Sequence, residues 1–230
     1  MTAEAGRLVA DSVELTYGAG SGRVHALRRI SLNLEPGAFV ALIGPSGSGK
    51  TSLLHCLGGL QAPTAGEVRW DGRRLSGLEL PSRIGARGAA FAYVFQGGNL
   101  LPTFTAAENV AFAALVSGRR HEVRPLELLT GVGLDAKAQA LPDELSGGEQ
   151  QRVAMVRALA QGARVLLADE PTGQLDSTTA NRVLDLIDSV RADHPDLIVV
   201  LATHDVSVAD RAQRSIEIVD GRLLQELSRR

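Results

Sequence analysis

Hydrophobic and polar positions follow two different periods along this chain, and the changes between them predict its elements. In the first third, short apolar-rich runs bounded by turn residues predict strands over 7–17, 24–34 and 38–44. From residue 150 onward, segments with apolar residues at three- and four-residue spacing alternate with continuous apolar runs. Alternating helices and strands are typical of a parallel sheet. We therefore predict an α/β fold with a mostly parallel sheet and an antiparallel β layer formed by the N-terminal strands.

Two further segments complete the predicted order. Between residues 97 and 142 the apolar spacing is helical over 108–116 and 125–134, so we expect a small α-helical subdomain inserted in the core. Near the C-terminal end, two strand-like runs flank Asp220 and Gly221, a dipeptide typical of a tight hairpin turn. The chain is expected to form a single domain over 1–230, because nothing in the sequence requires a second one.

Composition narrows the class of protein. Apolar residues make up 44% and charged residues 22% of the 230 residues, as in an ordinary globular domain. The net charge of -2 argues against a nucleic-acid partner, which would normally need a basic surface. A single cysteine, Cys56, fits a reducing compartment. No apolar run approaches the ~20 residues of a membrane span, and the first residues lack a secretory pattern, so we expect a cytoplasmic protein for which any membrane role needs a partner.

A glycine-rich segment lies between a predicted strand and a predicted helix. Backbone N–H groups of such a loop wrap phosphates, and the helix that follows presents its positive end to them. Lys50 would reach the β and γ phosphates, and Thr51 would ligate Mg²⁺. Because the flanking strand and helix are both predicted, we expect a nucleotide site rather than an ordinary turn. The residues of this phosphate-binding loop are Gly44, Pro45, Ser46, Gly47, Ser48, Gly49, Lys50 and Thr51.

Two adjacent carboxylates, Asp169 and Glu170, follow an apolar strand, at the end where α/β folds place ligands. Adjacent strand residues point to different sides, so the pair could divide two roles. Asp169 would hold Mg²⁺ and its waters, and Glu170 would polarise the attacking water. Alone, the pair would fit a solvated acidic turn equally well. The phosphate-binding loop favours the catalytic interpretation.

Residues 145–150, Leu-Ser-Gly-Gly-Glu-Gln, open another predicted helix. Ser146 and Glu149 have the spacing of a capping box, while Gly147 and Gly148 allow a ligand to approach the helix N-terminus closely. A second anion site is one interpretation, and a well-capped helix whose apolar stripe packs inward is the other. A cap alone does not need two glycines here, which favours the anion site.

Together these motifs resemble the ATP-binding cassette (ABC) family, in which residues 145–150 match the signature sequence. The resemblance implies a P-loop NTPase core, binding of ATP with Mg²⁺, and a head-to-tail homodimer. In that dimer Ser146, Gly147 and Gly148 would lie against the γ-phosphate bound by the other subunit. Within the family, the chain looks most like the lipoprotein-releasing and macrolide-export branch, through residues 99–110, 145–160, 166–176 and 202–205.

The same resemblance implies roles for single residues. Tyr17 would stack on adenine, and Gln96 would sense Mg²⁺ and the attacking water. His204 would contact the γ-phosphate, and Asp176 would belong to a segment, 173–176, that crosses the dimer interface. The other histidines show no metal-ligand spacing with Cys56 and are interpreted as incidental; they are His25, His55, His121 and His194.

The implied function is an ATPase coupled to a separate transmembrane permease. The permease would contact this chain near Gln96 and residues 97–142, on the cytoplasmic face of the membrane. A mechanical or regulatory ABC ATPase, as in cell-division signalling, would share this nucleotide chemistry and is the alternative. A DNA-repair or chromosome-structural cassette protein is disfavoured, because no long coiled coil or zinc insertion interrupts the domain. A small-molecule kinase with only the phosphate-binding loop would not require residues 145–150.

Overall fold

Two β-sheets form the framework of the protein, whose computed structural model describes residues 5–75, 90–119 and 121–228. The strands are β1 (Leu8–Tyr17), β2 (Val24–Leu34), β3 (Phe39–Ile43), β4 (Ala65–Trp70), β5 (Arg73–Arg74), β6 (Phe91–Val94), β7 (Val165–Asp169), β8 (Ile198–Thr203), β9 (Arg214–Val219) and β10 (Arg222–Ser228). The helices are α1 (Lys50–Leu57), α2 (Ala106–Val116), α3 (Pro125–Gly131), α4 (Gly147–Ala160), α5 (Ser177–Asp193) and α6 (Val206–Ala209).

The two sheets have different topologies. One is antiparallel with the order β2-β1-β4-β5. The other has the order β10-β9-β3-β8-β7-β6 and is parallel except for its edge strand β10. Strand β10 returns from β9 through Asp220 and Gly221, whose φ angles of 49° and 74° are those of the predicted tight turn. The predicted α/β fold with an N-terminal antiparallel layer is confirmed.

Each face of the parallel sheet is covered by its own hydrophobic core. Along β3, Phe39 and Ala41 join the core beneath helices α2 to α5, whereas Val40 and Leu42 join the core shared with α1 and the antiparallel sheet. This division follows from the two-residue period of a strand. Because both faces are buried, β3 is apolar throughout, and β7 and β8 are apolar up to their last residues, Asp169 and Thr203.

Helices α2 and α3 lie between β6 and β7 in the chain, where the sequence predicted helices. The segment that leads into α2 is held by Asn109, which is fully buried. Its Nδ2 donates to the carbonyls of Leu101, Phe104 and Thr105, and its Oδ1 accepts from the N–H of Leu101. A subdomain bounded by 97 and 142 stays a prediction. A bilayer span requires more length and hydropathy than any helix in the described part of the chain has.

Candidate active site

An open cleft of about 1130 Å³ lies at the carboxyl ends of the parallel strands, where α/β sheets place ligands. Most of the predicted site residues line it: Tyr17, Ser46, Gly47, Gly49, Lys50, Thr51, Gln96, Asp169, Glu170 and His204. Among the described residues that do not line it are Gly44, Pro45, Ser48, Ser146, Gly147, Gly148 and Asp176. The structure therefore divides the predicted residues between this cleft and positions outside it.

The phosphate-binding loop depends on glycine at two close approaches. Gly44 has a φ of 148°, and a Cβ there would clash with the carbonyl oxygen of Ile218. Gly49 has a φ of 110°, and a Cβ there would lie 2.6 Å from the carbonyl oxygen of Ala26. The loop turns the ammonium of Lys50 inward, where Nζ donates to the carbonyls of Gly44 and Pro45 at 2.8 and 3.0 Å. A cation and a helix N-terminus thus meet at one end of the cleft.

Two of the three residues predicted at the Mg²⁺ site, Thr51 and Asp169, are in direct contact. Thr51, in the first turn of α1, donates its hydroxyl to Oδ2 of Asp169 at 2.7 Å. Burial raises the pKa of Asp169, the bond from Thr51 opposes that rise, and the neighbouring Glu170 adds to it. Within the described residues no group of three His, Cys, Asp or Glu side chains could hold a metal. A hydroxyl beside a carboxylate is instead the donor set of a Mg²⁺ that shares its coordination with phosphates and water, and these residues fit it.

Glu170 and His204 form the second pair in the cleft. Oε2 of Glu170 lies 2.8 Å from Nδ1 of His204, which follows the end of β8. The sequence-based reason for assigning Glu170 a different direction from Asp169 was wrong, because β7 ends at Asp169 and strand alternation does not extend to the next residue. Glu170 has a φ of 49°, and this left-handed turn sets the direction of its side chain.

Tyr17 lies at the end of β1, across the cleft from the carboxylates, with 43% of its surface exposed. Strand β2 adds a residue that the sequence analysis had interpreted as incidental. His25 pairs with Thr16 in the β1–β2 register, its Nδ1 lies 3.1 Å from Thr16 Oγ1, and it lines the cleft. Val24 pairs with Tyr17 across the β1–β2 hairpin, and the place of His25 directly after Val24 was the signal that could have found it.

The N-terminus of α4 lies outside the cleft and is exposed at Ser146. The predicted capping box is present: Ser146 Oγ accepts from the N–H of Glu149, and Glu149 Oε2 accepts from the N–H of Ser146. A Cβ on Gly147 would come within 2.5 Å of Gln174 Oε1, and one on Gly148 within 3.2 Å of the Gln174 carbonyl oxygen. The two glycines therefore let the segment after the acidic pair pack closely against this helix end.

Asp176 has a structural role that the sequence analysis did not assign. Its side chain caps α5, since Oδ1 accepts from the N–H of Thr179 and Oδ2 from the Thr179 hydroxyl. These bonds lower the pKa of Asp176. An aspartate directly before a helical pattern is a local capping signal that could have found this role.

Two residues of α4 make contacts that the sequence analysis missed. Gln151 Nε2 donates to the carbonyl oxygen of Glu170. Arg157 donates to the carbonyls of Gly98 and Asn99, shortly after Gln96, at 3.1 and 2.7 Å. Neither contact has a local sequence signal, because the partners are distant in the chain.

Comparisons with known proteins agree on one family. Residues 27–173 match the family model described as ABC transporter. A macrolide export ATP-binding/permease protein, MacB, of Mannheimia succiniciproducens is 43% identical over 213 residues, which are 91% of this chain and 33% of that protein. A pyoverdine export ATP-binding/permease protein, PvdT, of Pseudomonas fluorescens is 43% identical over 219 residues, which are 93% of this chain and 33% of that protein. The chain thus spans about a third of the length of these curated relatives.

Among solved structures, the dimeric post-hydrolysis state of the ATP-binding cassette MJ0796 bound to ADP and Pi superposes with a TM-score of 0.87 at 35% identity. The match covers 96% of this chain and 98% of that one. A second dimeric structure of MJ0796, described as a bacterial ABC transporter cassette, has a TM-score of 0.86 at 35% identity, with the same coverage.

Proposed function

This chain belongs to the ABC transporter family as an ATP-hydrolysing domain, and we propose that it dimerises around two ATP molecules and drives a transmembrane permease. One observation carries the proposal. The cleft contains the phosphate-binding loop, the acidic pair and His204, whereas Ser146 and its two glycines lie outside it on an exposed helix end. A helix N-terminus attracts anions through its free N–H groups and its dipole. Because this one lies outside the cleft that would hold the ATP of its own chain, it is suited to the ATP of a second copy.

The residues of the cleft divide the chemistry of ATP hydrolysis. Lys50 and the loop N–H groups bind the phosphates, and Tyr17 stacks on adenine. Thr51 and Asp169 would hold Mg²⁺, with Gln96 beside them. When bound, Mg²⁺ neutralises charge on the phosphate oxygens.

Glu170 activates the attacking water as the general base. Because Oε2 faces His204, Oε1 is the oxygen that remains for a water proton. On the other side of this contact, Nε2 is the ring nitrogen of His204 that remains for the γ-phosphate. The carboxylate that polarises the water and the imidazole that faces the phosphate are thereby held in one geometry.

Dimerisation would follow ATP binding, because a ligand shifts an equilibrium only through its differential affinity for one state. Contacts of the γ-phosphate with Ser146, Gly147 and Gly148 of the second copy supply that difference. Asp176 lies near the same helix end and would belong to the interface that closes there. Hydrolysis removes the γ-phosphate and releases the dimer.

The partner we propose is a permease of the lipoprotein-release or macrolide-export type, reached from the cytoplasmic face of the membrane. The export proteins among the relatives support transport over the regulatory alternative. The proposed contact is a helical subdomain over 97–142, together with the loop at Gln96. Exposed apolar side chains on α2 and α3 support this docking, since grouped exposed apolar residues mark interaction sites. They are Phe112, Leu115, Val116 and Leu126.

The test compares wild type, Glu170→Gln and Lys50→Ala by size-exclusion chromatography with light scattering, with and without ATP. Glu170→Gln preserves nucleotide binding while slowing water activation, so the closed dimer should accumulate with ATP. Lys50→Ala should stay monomeric. If Glu170→Gln binds ATP and still remains monomeric, the isolated chain does not close around ATP and the dimer mechanism is wrong as stated.

A further inference from the structure

Helix α4 holds the backbone of Glu170 through Gln151. Only 2% of Gln151 is exposed, and its Nε2 donates to the carbonyl oxygen of Glu170 at 2.5 Å. The two residues are brought together by the packing of α4 and of the β7 end against the same core. The contact therefore joins the signature helix to the turn that carries the proposed catalytic base.

That turn needs support, because Glu170 occupies the left-handed region with a φ of 49°. A residue with a Cβ is strained in that region. Three bonds hold the peptide groups on either side. The N–H of Glu170 donates to Ala202 at 2.9 Å, and its carbonyl accepts from Gln151 and from the N–H of Gly173 at 3.2 Å. Two of these three bonds join backbone groups. The third comes from the side-chain amide of Gln151, and a point substitution can remove it.

Packing alone does not explain a glutamine at this position. Its Oε1 is buried and has no hydrogen-bond partner within the described chain. An unpaired buried polar atom lowers the stability of the folded state. A methionine of similar length would fill the same space without that cost. Residues that lower stability in this way are typical of functional sites.

We propose that Gln151 is a positioning residue for ATP hydrolysis, which acts by fixing the left-handed turn at Glu170 from helix α4. The proposal rests on the proposed function, in which Glu170 polarises the attacking water. Its consequence is that α4 serves two sites. Its exposed N-terminus meets the nucleotide of the second copy, and Gln151 on the same helix sets the base for the nucleotide of its own chain.

The test measures kcat, KM for ATP and Tm for Gln151→Met, with Gln161→Met as the matched control. Gln161 lies at the other end of α4 as its C-cap and does not line the cleft. Because misplacing a catalytic group by about 1 Å can lower the rate of the chemical step about a hundredfold, we expect kcat to fall about tenfold or more in Gln151→Met. We expect KM to stay within about twofold and Tm to stay equal or rise, since the unpaired Oε1 is removed.

Wild-type kcat in Gln151→Met would overturn the proposal. So would a loss of kcat that follows a loss of Tm, or an equal loss in Gln161→Met, because either would indicate a general effect on α4. The double variant Gln151→Met, Glu170→Gln adds a second criterion. If Gln151 acts through Glu170, the residual single-turnover rate of the double variant equals that of Glu170→Gln alone.

A double variant that is about tenfold slower than Glu170→Gln would also overturn the proposal. Failure of the proposed function has a different result: Glu170→Gln would hydrolyse ATP at the wild-type rate. If Glu170→Gln is inactive while Gln151→Met is fully active, only the positioning role is wrong.

Discussion

Replacing Ser146 by alanine should separate the structural role of the α4 N-terminus from its proposed role in dimerisation, because α2 begins with the same capping box. In α4, Glu149 N–H donates to Ser146 Oγ at 3.3 Å, and Ser146 N–H donates to Glu149 Oε2 at 2.8 Å. In α2, the corresponding bonds between Thr105 and Glu108 are 3.2 and 2.8 Å. Thr105→Ala is therefore a matched structural control.

The expected loss of stability is the same for both variants. Removal of a Ser or Thr cap costs about 1 kcal/mol, which in a domain of this size lowers Tm by about 2–4 °C. Since a native domain has about 5–15 kcal/mol of stability, both variants should remain folded. Equal shifts in Tm would establish that the two substitutions remove equivalent caps.

The expected effect on dimerisation differs. One hydrogen bond to a charged phosphate is worth about 1.5–3 kcal/mol, and a symmetric dimer loses two of them in Ser146→Ala. The dimer dissociation constant should rise about a hundredfold or more. Sedimentation equilibrium with ATP, in a Glu170→Gln background, measures it. Ser146→Thr, which keeps a hydroxyl and a cap, should retain most of the affinity. If Ser146→Ala and Thr105→Ala dimerise equally well, Ser146 does not contact the nucleotide of the second copy.

Two further predictions concern single side chains. Burial raises the pKa of Cys56 to about 12, so its thiol in the folded protein should resist a thiol reagent at pH 8 and react on unfolding; rapid labelling of the native protein would contradict this. The bond from the Ser146 N–H is the main cause that holds the pKa of Glu149 below its ordinary value of 4.5. The ionised Glu149 therefore contributes its full stabilisation above pH 4.5, and this stabilisation is lost as the pH falls below that value. Glu149→Gln can still cap but cannot titrate, so the Tm advantage of wild type over this variant should shrink between pH 6 and pH 3, and a constant difference would refute the assignment.

The elements that the sequence predicted well are those specified by neighbouring residues. The strand, glycine loop and helix around Lys50 are one local unit, as is the capping box that begins at Ser146. The turn at Asp220 also follows from its dipeptide alone. In each case the signal lies within one contiguous stretch of the chain, so no knowledge of packing is needed.

The contacts that the sequence could not predict join distant segments. Gln151 stands between two other polar residues, Gln150 and Arg152, and only the packing of α4 against β7 shows that its amide faces Glu170. The left-handed turn at Glu170 was missed for a similar reason. A glutamate gives no local signal for a positive φ, which is imposed by bonds from β8 and from α4.

Arg157 extends the argument from Gln151 to the other end of α4. Two successive left-handed residues, Gly98 and Asn99, have φ angles of 72° and 50°, and Arg157 binds the carbonyl oxygens of both. Burial lowers the pKa of this guanidinium, because removing its charge from water is unfavourable. The hydrogen bonds to the two carbonyls offset that unfavourable desolvation. The planar fork of the guanidinium holds the two carbonyls in one fixed geometry, whereas a lysine would offer a compact ammonium on a flexible stem.

The loop after Gln96 and the turn at Glu170 are thus both bonded to one helix. A packed helix moves as a rigid unit rather than deforming continuously. A displacement of α4 would therefore change the surroundings of Gln96 and of Glu170 together. We place the nucleotide of the second copy at the exposed N-terminus of this helix, so α4 and its two polar contacts are a direct connection between the two proposed ATP sites.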